Sequence, residues 1–179
     1  LTATCAVTVV DVQGTFYAYN YYSNDGTFND MVQVDMAKME RTSLMNLGLE
    51  LIAGDYNGHD GKFYGYNEVG QLYAVDMTTG EHEAIGTNIG KYPSDMAYDY
   101  TTGTMYALIG TANNIYSIDL SDGYMTKEYS VSLAFPSSVY DSNYELLAMT
   151  IDDEGNFYAV NNGDSTYQAV HLYSWTAED

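Results

Sequence analysis

One five-residue phrase returns four times along this chain. It reads Thr15-Phe16-Tyr17-Ala18-Tyr19, then Lys62-Phe63-Tyr64-Gly65-Tyr66, then Thr104-Met105-Tyr106-Ala107-Leu108, then Asn156-Phe157-Tyr158-Ala159-Val160. Each copy has β-forming residues around an aromatic pair and a small residue after the tyrosine, which suits a strand in a packed sheet. A second phrase follows each copy: Val32 to Met36, Leu72 to Met77, Ile115 to Leu120 and His171 to Trp175. A third precedes each copy, as an apolar strand ending in aspartate at Asp11, Asp55, Asp99 and Asp152. Internal repetition of this kind constrains the fold more than any other feature, because one repeat cannot bury its own apolar face and must stack on its neighbours.

The spacing selects the architecture. The aspartates at 11, 55 and 99 are 44 residues apart, and 53 residues separate Asp99 from Asp152. A period in the forties with several strands per period is the signature of a β-propeller blade. Helical repeats of similar length would show 3.6-residue apolar spacing, whereas Leu72 to Met77 alternates with period two. Turn residues punctuate each period: Gln13-Gly14, Asp60-Gly61, Thr102-Gly103 and Glu154-Gly155 after the first strand, Thr79-Gly80 and Asp122-Gly123 after the third. Glycine there supplies the positive φ of a tight hairpin. Outer strands follow at Glu83 to Ile85 and Lys127 to Ser132, and Met31 to Leu47 is the one stretch where propensity allows a short helix.

The expected fold is therefore all-β, a propeller of about four blades of mostly four antiparallel strands, over residues 1–47, 48–90, 91–136 and 137–179. The last outer strand is missing or very short. The chain is read as part of a larger propeller, an excised piece of something longer, with a compact four-bladed ring as the alternative. In either case Phe16, Phe63, Met105 and Phe157 are expected in the core, and Tyr17, Tyr64, Tyr106 and Tyr158 between blades.

The segment Gly70-Gln71-Leu72-Tyr73-Ala74-Val75-Asp76-Met77-Thr78-Thr79-Gly80-Glu81, and more loosely Asn114 to Tyr124, resembles the blades of bacterial β-propellers with quinoprotein, YVTN and NHL repeats. The resemblance implies blade architecture over nearly the whole chain and no catalytic motif. The docking tryptophan of the quinoprotein enzymes is absent, since Glu81-His82-Glu83-Ala84 stands in its place, so no quinone cofactor is implied.

Charge narrows the function. The 179 residues carry 5 Lys+Arg against 25 Asp+Glu, a formal net charge of −20. Five cations cannot neutralise a nucleic-acid backbone or hold an anionic membrane surface. The 20 tyrosines exclude a disordered acidic tail, which lacks aromatics. No apolar run approaches the roughly 18 residues of a membrane-spanning helix. A single cysteine, Cys5, excludes an intrachain disulfide. Acidic, tyrosine- and asparagine-rich composition points to an extracellular or cell-surface location.

No catalytic residue is picked out: there is no GxSxG, no phosphate loop, and no paired Cys or His spacing. Asp55, Asn57 and Asp60, and separately Asp152 and Asp153, have the alternating oxygens of a calcium loop. Calcium is thus the one cofactor these loops could take, although the EF-hand pattern fails at His59. The plainer role of such aspartates is to cap the following turn. The aromatics that fall outside the repeat are Tyr21, Tyr22, Tyr56, Tyr92, Tyr140, Tyr144, Tyr167 and Trp175, near asparagines and glutamine. Flat rings beside amides suit a sugar, whose C–H face stacks while its hydroxyls bond. The expected function is non-catalytic recognition of a glycan or a protein through irregular loops. The alternative is an assembly unit joining through exposed blade edges, by self-association or with the remaining blades of a parent protein. A carboxylate-based lyase or hydrolase ranks last.

Overall fold

The computed structural model describes residues 15–20, 29–131, 145–161 and 172–176. Among these the chain is all strand and turn, apart from one 3-10 turn at Gly110–Ala112. The strands form four antiparallel sheets, each built from consecutive hairpins, as the turn signals require. The contacts divide the chain into two units, one up to Leu49 and one from Glu50 onward.

The first unit holds one sheet: β1 (Thr15–Asn20), β2 (Asp30–Asp35) and β3 (Glu40–Asn46), paired in that order. Met31 to Leu47 is thus strand and hairpin, not helix, because Met31 and Val32 pair with Tyr19 and Ala18 on one side and with Met45 and Ser43 on the other. The buried Asp30 carboxylate accepts hydrogen bonds from Asn46 Nδ2 (2.9 Å) and Ser43 Oγ (3.1 Å) across this hairpin. Phe16 and Tyr17, on opposite faces of β1, both stand exposed. The core position expected for Phe16 is therefore not filled.

The second unit holds three sheets: β4 (Ala53–Asn57), β5 (Lys62–Tyr66), β6 (Leu72–Asp76) and β7 (His82–Ile85); β8 (Asp95–Asp99), β9 (Thr104–Ile109), β10 (Asn114–Ile118) and β11 (Met125–Ser130); and β12 (Leu146–Ile151), β13 (Phe157–Asn161) and β14 (Leu172–Trp175). These are three blades, and the third has three strands among the described residues.

Register makes the repeat exact in places and corrects it in one. Phe63, Met105 and Phe157 are equivalent, since they pair with Val75, Ile118 and Trp175. Asp55 and Asp99 are not equivalent. Asp55 pairs with Tyr64, whereas Asp99 pairs with Thr104, the counterpart of Lys62, whose own partner is Asn57. Asn57, not Asp55, is the residue in phase with Asp99 and Asp152. The even spacing of 44 was a coincidence of two aspartates with different tasks.

Alternate residues of each strand point to opposite faces, so within the second unit the middle sheet offers one face to the sheet before it and the other to the sheet after it. Ala53, Tyr64, Tyr66, Leu72 and Ala74 of the first sheet pack on Met96, Tyr98, Met105, Ile118 and Met125 of the second. Ala97, Tyr106, Leu108 and Ile115, on the second sheet's other face, pack on Leu146, Met149 and Phe157 of the third. Tyr64 and Tyr106 thus sit between sheets as expected. Tyr66 Oη donates to Gly123 O (2.7 Å) across the first junction. Gly86 (φ +61°) marks how close the sheets come: a Cβ there would collide with the backbone carbonyl of Asp122.

Candidate functional site

The innermost strands β4, β8 and β12 each have a second strand on one side only. Alternate amides of such a strand point away from its partner and need acceptors. Two aspartates supply them. Asp55 accepts from its own neighbour, Tyr56 N (2.8 Å), and from Tyr98 N of the next sheet (2.7 Å). Asp95 repeats the arrangement, accepting from Met96 N (2.9 Å) and from Met149 N of the sheet after (2.8 Å). Burial pushes both carboxyls above the ordinary carboxylate value, against the pull of their amide bonds, and the Asp55 charge raises Asp95 further. These side chains fasten blade to blade.

The other aspartates cap turns. Asp99 is buried and accepts from Thr101 N (2.8 Å), Thr101 Oγ1 (2.7 Å) and Thr102 Oγ1 (2.7 Å). Burial works upward on its carboxyl, but these bonds prevail and hold it below its ordinary value. Asp152 takes Asn156 N (2.8 Å), Asn156 Nδ2 (2.9 Å) and Tyr158 Oη (3.0 Å), and Asn156 above all holds it low. Asp76 and Asp119 do the same after the third strands, accepting from Thr78 N (2.7 Å) and Ser121 N (2.8 Å).

Four of the five residues expected to hold calcium, Asp55, Asn57, Asp60 and Asp152, have protein donors at their oxygens. Asn57 Oδ1 accepts from His59 N (2.9 Å), and Asp60 from Lys62 N (3.0 Å) and Tyr64 Oη (2.7 Å). Asp55 and Asp152 are engaged as above. Among the described residues, the one group of three acidic, His or Cys ligand atoms within 4.8 Å is Asp152, Asp153 and Glu154. Glu154 is pushed upward by the charges of Asp153 and Asp152.

The arrangement best suited to a ligand is a groove between β11 and β14. It encloses about 520 Å³ and is lined by Glu128, Tyr129, Ser130, Tyr173, Ser174 and Trp175, with Val131 at one end. Its wall is built on Phe157, whose ring stacks on Trp175 (centroids 5.4 Å apart, planes at 19°) and meets Tyr129 edge-on at 6.3 Å. Trp175 Nε1 is buried and has no acceptor among the described residues. Indole N–H groups usually find a partner when buried. The rim is polar and fixed: Glu128 Oε1 accepts from Ser117 Oγ (2.6 Å), and Ser130 Oγ donates to Asn114 Oδ1 (2.9 Å). Among the described residues β14 is the outermost strand of its sheet, while the two sheets before it each carry a fourth strand.

Of the aromatics singled out by sequence, Trp175 lines this groove. Tyr56 lies in β4, its carbonyl accepting from Tyr100 Oη (3.3 Å), and Tyr92 is exposed; neither lines it. Tyr21, Tyr22, Tyr140, Tyr144 and Tyr167 lie outside the described residues. Tyr129 and Tyr173 were missed because both sit in regular strands and read as repeat. No local signal in the sequence separates them from the repeat.

The chain matches a protein family described as Repeat of unknown function (DUF6923) over residues 2–123, more than half its length. No curated protein matches it. Solved structures are similar in fold. The nidogen/laminin complex aligns at TM-score 0.60 and 12% identity, over 92% of this chain and 57% of that one. A structural genomics protein of unknown function from Bacteroides thetaiotaomicron VPI-5482 aligns at TM-score 0.56 and 15% identity, over 94% and 40%. A luciferin-regenerating enzyme aligns at TM-score 0.51 and 12% identity, over 84% and 53%. The chain spans about half the length of these structures.

Proposed function

The chain belongs to the DUF6923 repeat family, and on that footing we propose that it is a non-catalytic recognition module of propeller type, working outside the cell and taking an extended glycan in the groove between β11 and β14. The observation that carries this reading is the groove's lining: three aromatic rings, a carboxylate, two serines, and the buried Trp175 Nε1 without an acceptor. Rings offer flat apolar faces to sugar C–H groups, while the indole N–H, hydroxyls and carboxylate answer the sugar hydroxyls. The volume falls within the range of small-ligand sites. The test is binding to a panel of soluble oligosaccharides by titration calorimetry. Trp175→Phe keeps the stack on Phe157 and removes only the donor, so affinity should fall about 2- to 10-fold, the worth of one neutral hydrogen bond. Tyr129→Ala should weaken binding as well. A panel with no binder, or a binder indifferent to both changes, refutes the reading.

A second reading rests on the third sheet, which has three strands among the described residues. An extended polypeptide could add to β14 as a fourth strand, as β7 and β11 do in the sheets before it. Hydrogen exchange separates the two, since only strand addition would newly protect amides along Leu172–Trp175.

A further inference from the structure

The turn between β4 and β5 carries the pair Asn57-Gly58, and among the described residues Asn57 is the one asparagine followed by glycine. Asparagine is a labile side chain. The next backbone nitrogen can attack its carbonyl carbon, and glycine leaves that nitrogen uncrowded because it has no Cβ. The local geometry favours the attack. Asn57 Oδ1 accepts from His59 N at 2.9 Å. This Asx turn folds the side chain over the next peptide and holds Cγ beside Gly58 N. It also sets a backbone donor at the oxygen where negative charge develops as the nitrogen adds. Asn57 Nδ2, the group that must leave, has no hydrogen-bond partner among the described residues, whereas Asn46 Nδ2 and Asn156 Nδ2 are held by Asp30 and Asp152. Asn57 itself is buried, but Gly58, His59 and Asp60 are exposed, so the turn opens to water one residue further on.

Register gives this reaction a product that the fold already uses. Asn57 is in phase with Asp99 and Asp152. Asp99 Oδ1 accepts from Thr101 N (2.8 Å) and Asp152 Oδ1 from Glu154 N (3.1 Å), the same bond that Asn57 Oδ1 makes to His59 N. An aspartate at position 57 therefore keeps the cap of this turn.

We propose that Asn57-Gly58 is a self-modifying site, at which the folded chain converts Asn57 to aspartate with water as the co-reactant. Gly58 N attacks Asn57 Cγ and gives up its proton. The Cγ–Nδ2 bond breaks, and the amide group leaves as ammonia with that proton. The cyclic imide that remains takes up one water at either carbonyl, and no atom is oxidised or reduced. Opening at Cγ restores the ordinary main chain with an aspartate side chain, and the turn is kept. Opening at the other carbonyl links the chain through the side chain as isoaspartate. The main chain is then one carbon longer, which disrupts the bond from Gly61 N to Asn57 O (2.9 Å) and draws His59 Nδ1 from Tyr98 Oη of the next sheet, now 2.9 Å away. None of these residues lines the groove between β11 and β14, so the inference stands apart from the glycan reading.

The test is peptide mapping by mass spectrometry on the full 179-residue chain, held in mildly alkaline buffer both folded and in urea. The expected result is that the peptide holding Asn57 gains one mass unit in the folded chain, as NH2 becomes OH, and splits into aspartate and isoaspartate forms. Described asparagines followed by other residues should stay unchanged over the same time. Asn162-Gly163 lies outside the described residues and is scored separately. Gly58→Ala adds the missing Cβ and should slow the gain about tenfold. That Cβ would stand 3.1 Å from Cε1 of the exposed Tyr100 ring, which has room to shift. Asn57→Asp presents the product directly, and should keep native circular dichroism and gain no mass at position 57. An Asn57 that converts in urea but stays an amide in the folded chain overturns the proposal. So does a Gly58→Ala chain that converts at the wild-type rate, or an Asn57→Asp chain that does not fold.

Discussion

Removing the Asp55 carboxylate should loosen the junction between the first two sheets of the second unit at one identifiable atom. Asp55→Ala deprives Tyr98 N, a backbone amide on a buried residue, of the acceptor that now lies 2.7 Å away. An unsatisfied buried donor costs about 1–3 kcal/mol. Tyr56 N loses its acceptor too, but Tyr56 is half-buried and water can replace it. Against this stands a gain, because the carboxylate is itself poorly solvated and repels Asp95. The amide term should win, since water has no comparable access to Tyr98. Native-state hydrogen exchange reads it directly, and the Tyr98 amide should exchange about 5- to 150-fold faster in the variant. Asp55→Asn keeps one acceptor oxygen but turns an NH2 toward the other amide, so it should fall between wild type and alanine. An unchanged Tyr98 rate in Asp55→Ala would refute the fastening role.

The same pair fixes a pH dependence. The native carboxyls of Asp55 and Asp95 hold their protons to higher pH than unfolded ones, so in that window the native state binds more protons. Stability from these groups therefore falls as pH rises from the ordinary carboxylate value of about 3.9 through the raised native values. Acidification toward about pH 4 should stabilise wild type, and Asp55→Asn should show less of that gain. Parallel urea-midpoint curves for the two proteins across this range would contradict the assignment.

Two further outcomes follow from the geometry. Asp99→Ala removes three short bonds from the turn after β8 and should cost about 1–3 kcal/mol near neutral pH. Because the native Asp99 carboxyl is held low, that stability is lost as pH falls through its native value, so the gap between variant and wild-type urea midpoints should close in strong acid. Gly86→Ala and Gly90→Ala both place a side chain at φ near +60°, but a Cβ at Gly90 meets open space while one at Gly86 meets the Asp122 backbone. Gly90→Ala should cost only the backbone term of about 1–3 kcal/mol, and Gly86→Ala measurably more in the same thermal melt.

The strands and their order were legible because each depends on local chemistry. Alternation placed the strands, and glycine with Asp or Thr placed the hairpin turns, as at Gly61, Gly80, Gly103, Gly123 and Gly155, all with positive φ. The Phe-Tyr phrase held its register from sheet to sheet, because Tyr64 and Tyr106 must fill the same space between blades. What failed was the use of aspartate as a phase marker. A carboxylate at the end of an inner strand can cap the turn ahead, as Asp99 and Asp152 do, or reach sideways to the next sheet, as Asp55 does. Sequence offers no local distinction, since both tasks need a short acceptor near a run of free amides.

The groove was half legible for a related reason. Trp175 stood out as the sole tryptophan, but Tyr129 and Tyr173 are indistinguishable from residues that fill a blade interface. Whether such a tyrosine is packing or binding surface depends on whether a further strand or sheet covers it. Leu172 makes the point most sharply. Its identity, register and strand are those of Leu72, and its environment is the reverse.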